Sequence, residues 1–162
     1  MLHPGFSAAV FMQWTRLNDR WQSEHWEVLG VAEDERAPPA ASPPAPILVY
    51  EGPRSARWLH SGYALKLYRD EAEGYYLNLG ATQPFVFVTW RLEDAMARPY
   101  SLTLSYNEAA RMMDAGEQVD GVPMPEQWRA ALTEFVALHY RPEKKRNRAR
   151  PPSFKGARRD DP

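Results

Sequence analysis

Apolar residues recur at every second position through much of the first 90 residues of this chain, then at every third or fourth position beyond residue 105. A period of two marks strands with one buried face, and a period near 3.6 marks amphipathic helices. Residues 6–17 (FSAAVFMQWTRL), rich in aromatic and β-branched side chains, predict a strand with Val10, Met12 and Trp14 on one face, ended by Asn18 and Asp19. Residues 26–32 (WEVLGVA) predict a second strand, and the short connection makes an antiparallel pair. Residues 33–46 (EDERAPPAASPPAP) carry five prolines in their last nine positions. Proline lacks an amide donor and favours solvated, extended chain, so this stretch reads as a loop. Too few strands precede it for a separate core.

Residues 47–50 predict a short strand. Residues 62–68 (GYALKLY) and 75–79 (YYLNL), separated by a polar turn at 69–74, predict a hairpin. Tyr63, Leu65 and Leu67 fall on one face of its first arm, as do Tyr75, Leu77 and Leu79 on its second. Residues 85–90 (FVFVTW) are apolar on both faces and predict the central strand.

Ser105 followed by Glu108 fits a capping box, with Ala109, Met112 and Met113 as the stripe of the ensuing helix and Gly116 as its stop. The stretch GEQVDGVPMP reads as turn-rich. A second helix is predicted over residues 125–140, where Trp128, Ala131, Leu132, Phe135, Val136 and His139 recur at spacings of three and four, and Pro142 stops it. The class expected is α+β: six or seven antiparallel strands in a curled sheet or partly open roll, with two C-terminal helices. Residues 1–140 are expected to form one domain and residues 141–162 a disordered basic tail, because the tail has too few apolar side chains to offset its ordering entropy.

Six Trp, eight Tyr and six Phe supply large anchors for the core, and the absence of Cys removes disulfides, thiolate catalysis and thiolate metal sites. No basic-then-apolar leader and no run of 18 apolar residues is visible, so a cytoplasmic location without a membrane span is expected. The net charge of −1 hides a polarity. Residues 141–162 hold nine Lys and Arg against three acids, a balance of +6, which leaves −7 for residues 1–140. An acidic body disfavours phosphate binding, so any polyanion contact falls to the tail. There Lys144, Lys145, Arg146, Arg148 and Arg150 form a run able to meet RNA, an acidic protein or anionic lipid, or to serve merely as a solubilising terminus.

Motifs with defined chemistry are missing from the sequence. His3, His25, His60 and His139 have no metal-site spacing, and the acids at 33–35 and at 70, 71 and 73 read as solvated turns. No serine lies in a nucleophile-elbow context, and no phosphate-binding glycine loop is present. No cofactor and no enzymatic activity are expected. Trp21 and Trp26 flank a sharp turn, where they form either an exposed aromatic platform or core plugs. Met112, Met113 and Met124 fit helix-to-sheet packing or an adaptable surface.

The residues Arg16-Leu17-Asn18, Trp21 and Trp26, YYLNL followed by QPFVFV, SYNEAARMMDAGEQVDGVPMPEQW and FVALHYRPEKKR together resemble an uncharacterised bacterial family of unknown function. Its members often occur in proteobacterial formate dehydrogenase gene clusters. The resemblance spans most of residues 6–146, departing at the proline-rich stretch. It implies a non-enzymatic accessory protein binding another protein, in the assembly, cofactor insertion or regulation of a molybdenum-dependent formate dehydrogenase. Two other expectations stand beside it: a small-molecule or cofactor module with its ligand in the mouth of the curled sheet against Tyr63, Tyr75, Trp90 and the second predicted helix, and nucleic-acid binding through the tail.

Overall fold

A computed structural model of the chain describes residues 5–34 and 44–142. Seven antiparallel strands form two sheets. The first has four strands in the order β2-β1-β4-β3: β1 (Gly5–Arg16), β2 (Glu24–Glu33), β3 (Ile47–Glu51) and β4 (Ser55–Lys66). The second has three in the order β6-β5-β7: β5 (Phe85–Glu93), β6 (Met96–Thr103) and β7 (Gln118–Pro123). Helices α1 (Ala72–Leu79), α2 (Tyr106–Asp114) and α3 (Glu126–His139) follow β4, β6 and β7 respectively. The α+β class therefore holds, with two sheets in place of one curled sheet and three helices in place of two.

The core lies between the sheets. Phe6, Ala8, Val10 and Met12 alternate inward from β1 and meet Val86, Val88 and Trp90 of β5, which lies between β6 and β7 as a central strand should. β5 is buried on its other face too, because α2 covers it there. Thr89 Oγ1 donates to the Met112 sulfur (3.0 Å), and Tyr106 sits edge-on to Phe87. α3 seals the end of the sheets with Trp128, Leu132 and Phe135, each burial contributing on the order of 1.5–3 kcal/mol. β3 is an edge strand whose residues are all exposed, and Pro44 and Pro46 just before it limit further pairing there.

Two local readings are overturned. The predicted second hairpin arm, residues 75–79, is helical, and the polar turn before it is a single 3-10 turn (Arg69–Glu71) leading into α1. Ala72, Tyr75 and Asn78 recur every third residue and are buried, whereas Leu77 is exposed, so the apolar alternation is incidental. The stretch read as turn-rich contains β7, in which Gly121 lets the rings of Phe85 and Phe87 lie against the backbone.

The capping box at Ser105 is half formed. The Glu108 N–H donates to Ser105 Oγ (3.0 Å), but Thr103 intervenes on the return path: Thr103 Oγ1 donates to Glu108 Oε1 (2.6 Å) and accepts from the Ser105 N–H (3.0 Å). At the other end Gly116, at φ 88°, closes a Schellman turn, with its N–H on Met113 O and the Glu117 N–H on Met112 O.

The β5–β6 hairpin turns on Asp94 and Ala95, at φ 54° and 66°. Two consecutive left-handed residues match the twist of a two-residue hairpin, but a Cβ is strained there. Ala95→Gly is expected to raise stability by about 0.5–1 kcal/mol. A thermal midpoint at or below that of the parent chain would contradict this reading of the turn.

His60 of β4 is buried, and its Nε2 has no hydrogen-bond partner among the described residues. Burial, reinforced by the nearby Arg98 charge, lowers its pKa from 6.5 to about 4. Between these values the unfolded chain binds the proton and the folded chain does not. Stability is therefore complete above pH 6.5 and falls as the pH drops toward 4. Passing from pH 7 to pH 5 is expected to cost about 2 kcal/mol through this group. Urea unfolding at the two pH values checks it, since His60→Gln should remove that increment while leaving the rest of the acid sensitivity.

Candidate functional site

β2 and β7 are outer strands of different sheets, and they lie side by side without forming a ladder. The Val28 N–H of β2 donates across the seam to Asp120 Oδ2 of β7 (2.9 Å), a side chain standing where a neighbouring strand's carbonyl would be. Toward the β1–β2 turn the seam widens into a cleft of about 790 Å³. Its walls come from Gln22–Val28, from Trp90 and Leu92 of β5, from Ala95 of the strained hairpin turn and from the first residues of β7. Strand termini and two turns meet here, and among the described residues no helix lines the opening.

Three carboxylates line the cleft: Glu24, Glu27 and Asp120. Each accepts a hydrogen bond from a neutral donor: Glu24 from Trp14 Nε1 (2.6 Å), Glu27 from Gln13 Nε2 (3.3 Å) and Asp120 from the Val28 amide. The ion pairs among the described residues, Arg91–Glu117, Arg98–Glu93 and Arg111–Glu71, involve none of them. These carboxylates are held in place by neutral donors rather than by direct ion pairs among the described residues. Two indoles complete the wall. Trp26 is turned inward against Trp58 (ring centroids 5.5 Å apart), and Trp90 is 8% exposed with a buried Nε1–H that has no acceptor among the described residues. A buried indole N–H normally finds a partner, and leaving one unmade costs about 1–3 kcal/mol.

Trp21 and Trp26, paired by sequence across one turn, take different positions. Trp21 is 86% exposed on the turn at the cleft's edge, with Arg20 5.7 Å from its ring centroid, whereas Trp26 belongs to the core and presents one edge to the cleft. Lys144, Lys145, Arg146, Arg148 and Arg150 lie outside the described residues, as does the expected disorder of the tail. Of the residues expected to line a ligand position, Trp90 lines the cleft, whereas Tyr63 and Tyr75 are not among its lining residues. Tyr75 is in the core, edge-on to Phe135 and with burial pushing its pKa up to about 12, and the Tyr63 hydroxyl donates to Pro99 O (3.1 Å).

The carboxylates read as solvated turns also differ. Glu71 accepts from Ser105 Oγ (2.6 Å) and pairs with Arg111 (2.5 Å), tying α1 to α2, and Glu33 accepts from Trp128 Nε1 (3.2 Å). Among the described residues no group of three or more His, Asp or Glu is placed to hold a metal ion, and no helix is long and apolar enough to cross a membrane.

A family model matches residues 7–149, most of the chain. The chain belongs to DUF3305, a family of proteins of unknown function. The match runs from β1 through the last helix into the basic run, so the cleft lies wholly inside the DUF3305 region. No curated protein and no solved structure matches the chain. In this DUF3305 protein the cleft's residues come from three separated stretches, 22–28, 90–95 and 118–121, which is why no linear motif marks it.

Proposed function

We propose that this DUF3305 protein is a non-enzymatic accessory protein that binds another protein through the β2–β7 cleft. Its partner, on this reading, is a subunit or maturation factor of a molybdenum-dependent formate dehydrogenase. The observation carrying the binding role is the open seam itself: two strand edges that no ladder joins among the described residues, flanked by Trp21 at 86% exposure. Exposed aromatic anchors beside a concave, partly polar surface are the usual centre of protein contacts. The choice of partner rests on the sequence resemblance described above.

Affinity capture with the full chain from its native host tests both parts. A molybdenum oxidoreductase subunit or maturation factor should be retained by the parent chain and depleted with Trp21→Ala, a change that removes no core contact. Recovery of neither class of protein would refute the formate dehydrogenase assignment, and equal recovery by both forms would move the contact away from the cleft.

A further inference from the structure

We infer that the β2–β7 cleft takes an extended, basic peptide segment of a partner protein, added as a strand along the free edge of β2. This rests on the cleft being the binding site proposed above and specifies the chemistry of what enters it. Three independent observations converge. At Val28 the outward edge of β2 is taken by Asp120 of β7, but from there toward the β1–β2 turn it has no strand partner among the described residues. By the two-residue period of a strand, the backbone of Trp26 and of Glu24 faces the same way. An extended chain laid there gains main-chain hydrogen bonds of the kind that drive strand addition.

Second, among the described residues Glu24, Glu27 and Asp120 form no ion pair, and no Lys or Arg lines the cleft. Glu24 and Glu27 stand an odd number of residues apart on β2, so they lie on opposite faces of the added strand. The segment therefore carries Lys or Arg on both of its faces. Third, Trp90 lines the cleft with a buried indole whose Nε1–H has no partner among the described residues, so a segment packed in the cleft alters the surroundings of that indole. The chain's own basic run starts at Lys144, two residues past Pro142, after α3 has packed over the opposite end of the sheets beside Phe6 and Glu33. That placement favours a segment from another protein.

The test uses the full chain and the blocked peptide RKVRKVR, with EDVEDVE as its charge-reversed control. Anisotropy should show saturable binding of the basic peptide alone. The affinity should fall about tenfold in Glu24→Gln/Glu27→Gln and less than about twofold in Glu51→Gln/Glu134→Gln, whose acids are exposed elsewhere. The Trp90 indole N–H resonance, assigned with Trp90→Phe, should shift on binding. No binding, equal loss in both double variants, or an unmoved indole signal would overturn the inference. So would an identical indole shift with spermine, which would make the ligand a polyamine. Concentration-dependent self-association lost on reversing the charges at residues 144–150 would reassign the cleft to a second copy. If capture of the oxidoreductase survives Glu24→Gln/Glu27→Gln, the accessory role stands and the basic-peptide inference alone falls.

Discussion

Asn78→Ala is expected to lower the stability of the fold by about 3–5 kcal/mol, a large part of the reserve of a domain this size. Asn78 is 2% exposed on α1, and its amide is fully engaged. Nδ2 donates to Phe85 O (2.8 Å) and to Leu104 O (2.9 Å), while Oδ1 accepts from the Phe85 N–H (3.0 Å). One side chain thus satisfies the backbone at the start of β5 and at the end of β6, where neither strand can satisfy it. Truncation takes the partner from three backbone groups, the buried Leu104 O and the part-buried N–H and O of Phe85, in addition to leaving a small cavity, and unpaired buried groups are costlier than the bonds are worth. Asn78→Asp retains an acceptor and loses both donated bonds, with a charge placed against two carbonyls, and is expected to be at least as damaging. Urea unfolding measures the difference. A loss below about 1 kcal/mol for Asn78→Ala would mean that water replaces the side chain at these sites.

The same residue shows where sequence patterning stops being informative. In YYLNL the alternation of Tyr75, Leu77 and Leu79 outweighs the single Asn, so a strand is expected. The deciding fact is that Asn78 has backbone partners seven and 26 residues further along, which no local window contains. Gly74 carries a similar non-local signal: a Cβ there would stand 2.0 Å from Ser105 Oγ, the N-cap of α2. By contrast, β1, β5, the start and stop of α2 and the buried stripe of α3 follow from short-range period and capping chemistry, and they were legible. β7 was hidden because its two glycine- and proline-bearing turns of sequence, GEQVDGVPMP, look like loop until Val119 and Val122 pair with β5.

The cleft was legible only at one end. Trp21 stands out in sequence as an aromatic residue in a polar turn, and it is the exposed one. Trp90 reads as the last apolar residue of a central strand, which it is, and nothing local announces that its indole N–H lacks an acceptor. Likewise the acidic body was visible as a charge balance, but not that Glu24, Glu27 and Asp120 are brought to one seam without a cation. Long-range charge placement depends on sheet order, and the order β2-β1-β4-β3 is set by β1 pairing with both β2 and β4.

Trp128→Ala is expected to cost a further large amount, about 3–5 kcal/mol, and to free α3 from the sheets. Trp128 is fully buried in the first turn of α3 and stacks on Phe6 of β1, with centroids 4.7 Å apart and planes 18° from parallel. Its Nε1 donates to Glu33 Oε1 at the end of β2 (3.2 Å), so one indole joins the helix to both β1 and β2. Removing it opens a cavity at the sealed end and leaves the half-buried Glu33 carboxylate to Gln127 Nε2 (3.3 Å). Trp128→Phe keeps the stack and loses the hydrogen bond, and should cost about 1 kcal/mol less than the alanine change at minimum. Near-UV circular dichroism and urea unfolding report both effects, and equal losses for the two variants would show that the hydrogen bond, not the stack, holds α3 down. Because this contact lies at the opposite end from the β2–β7 cleft, folded Trp128→Phe should bind RKVRKVR as the parent chain does. A parallel loss of stability and binding would instead mean that the seam between β2 and β7 stays open only while α3 clamps the far end of β2.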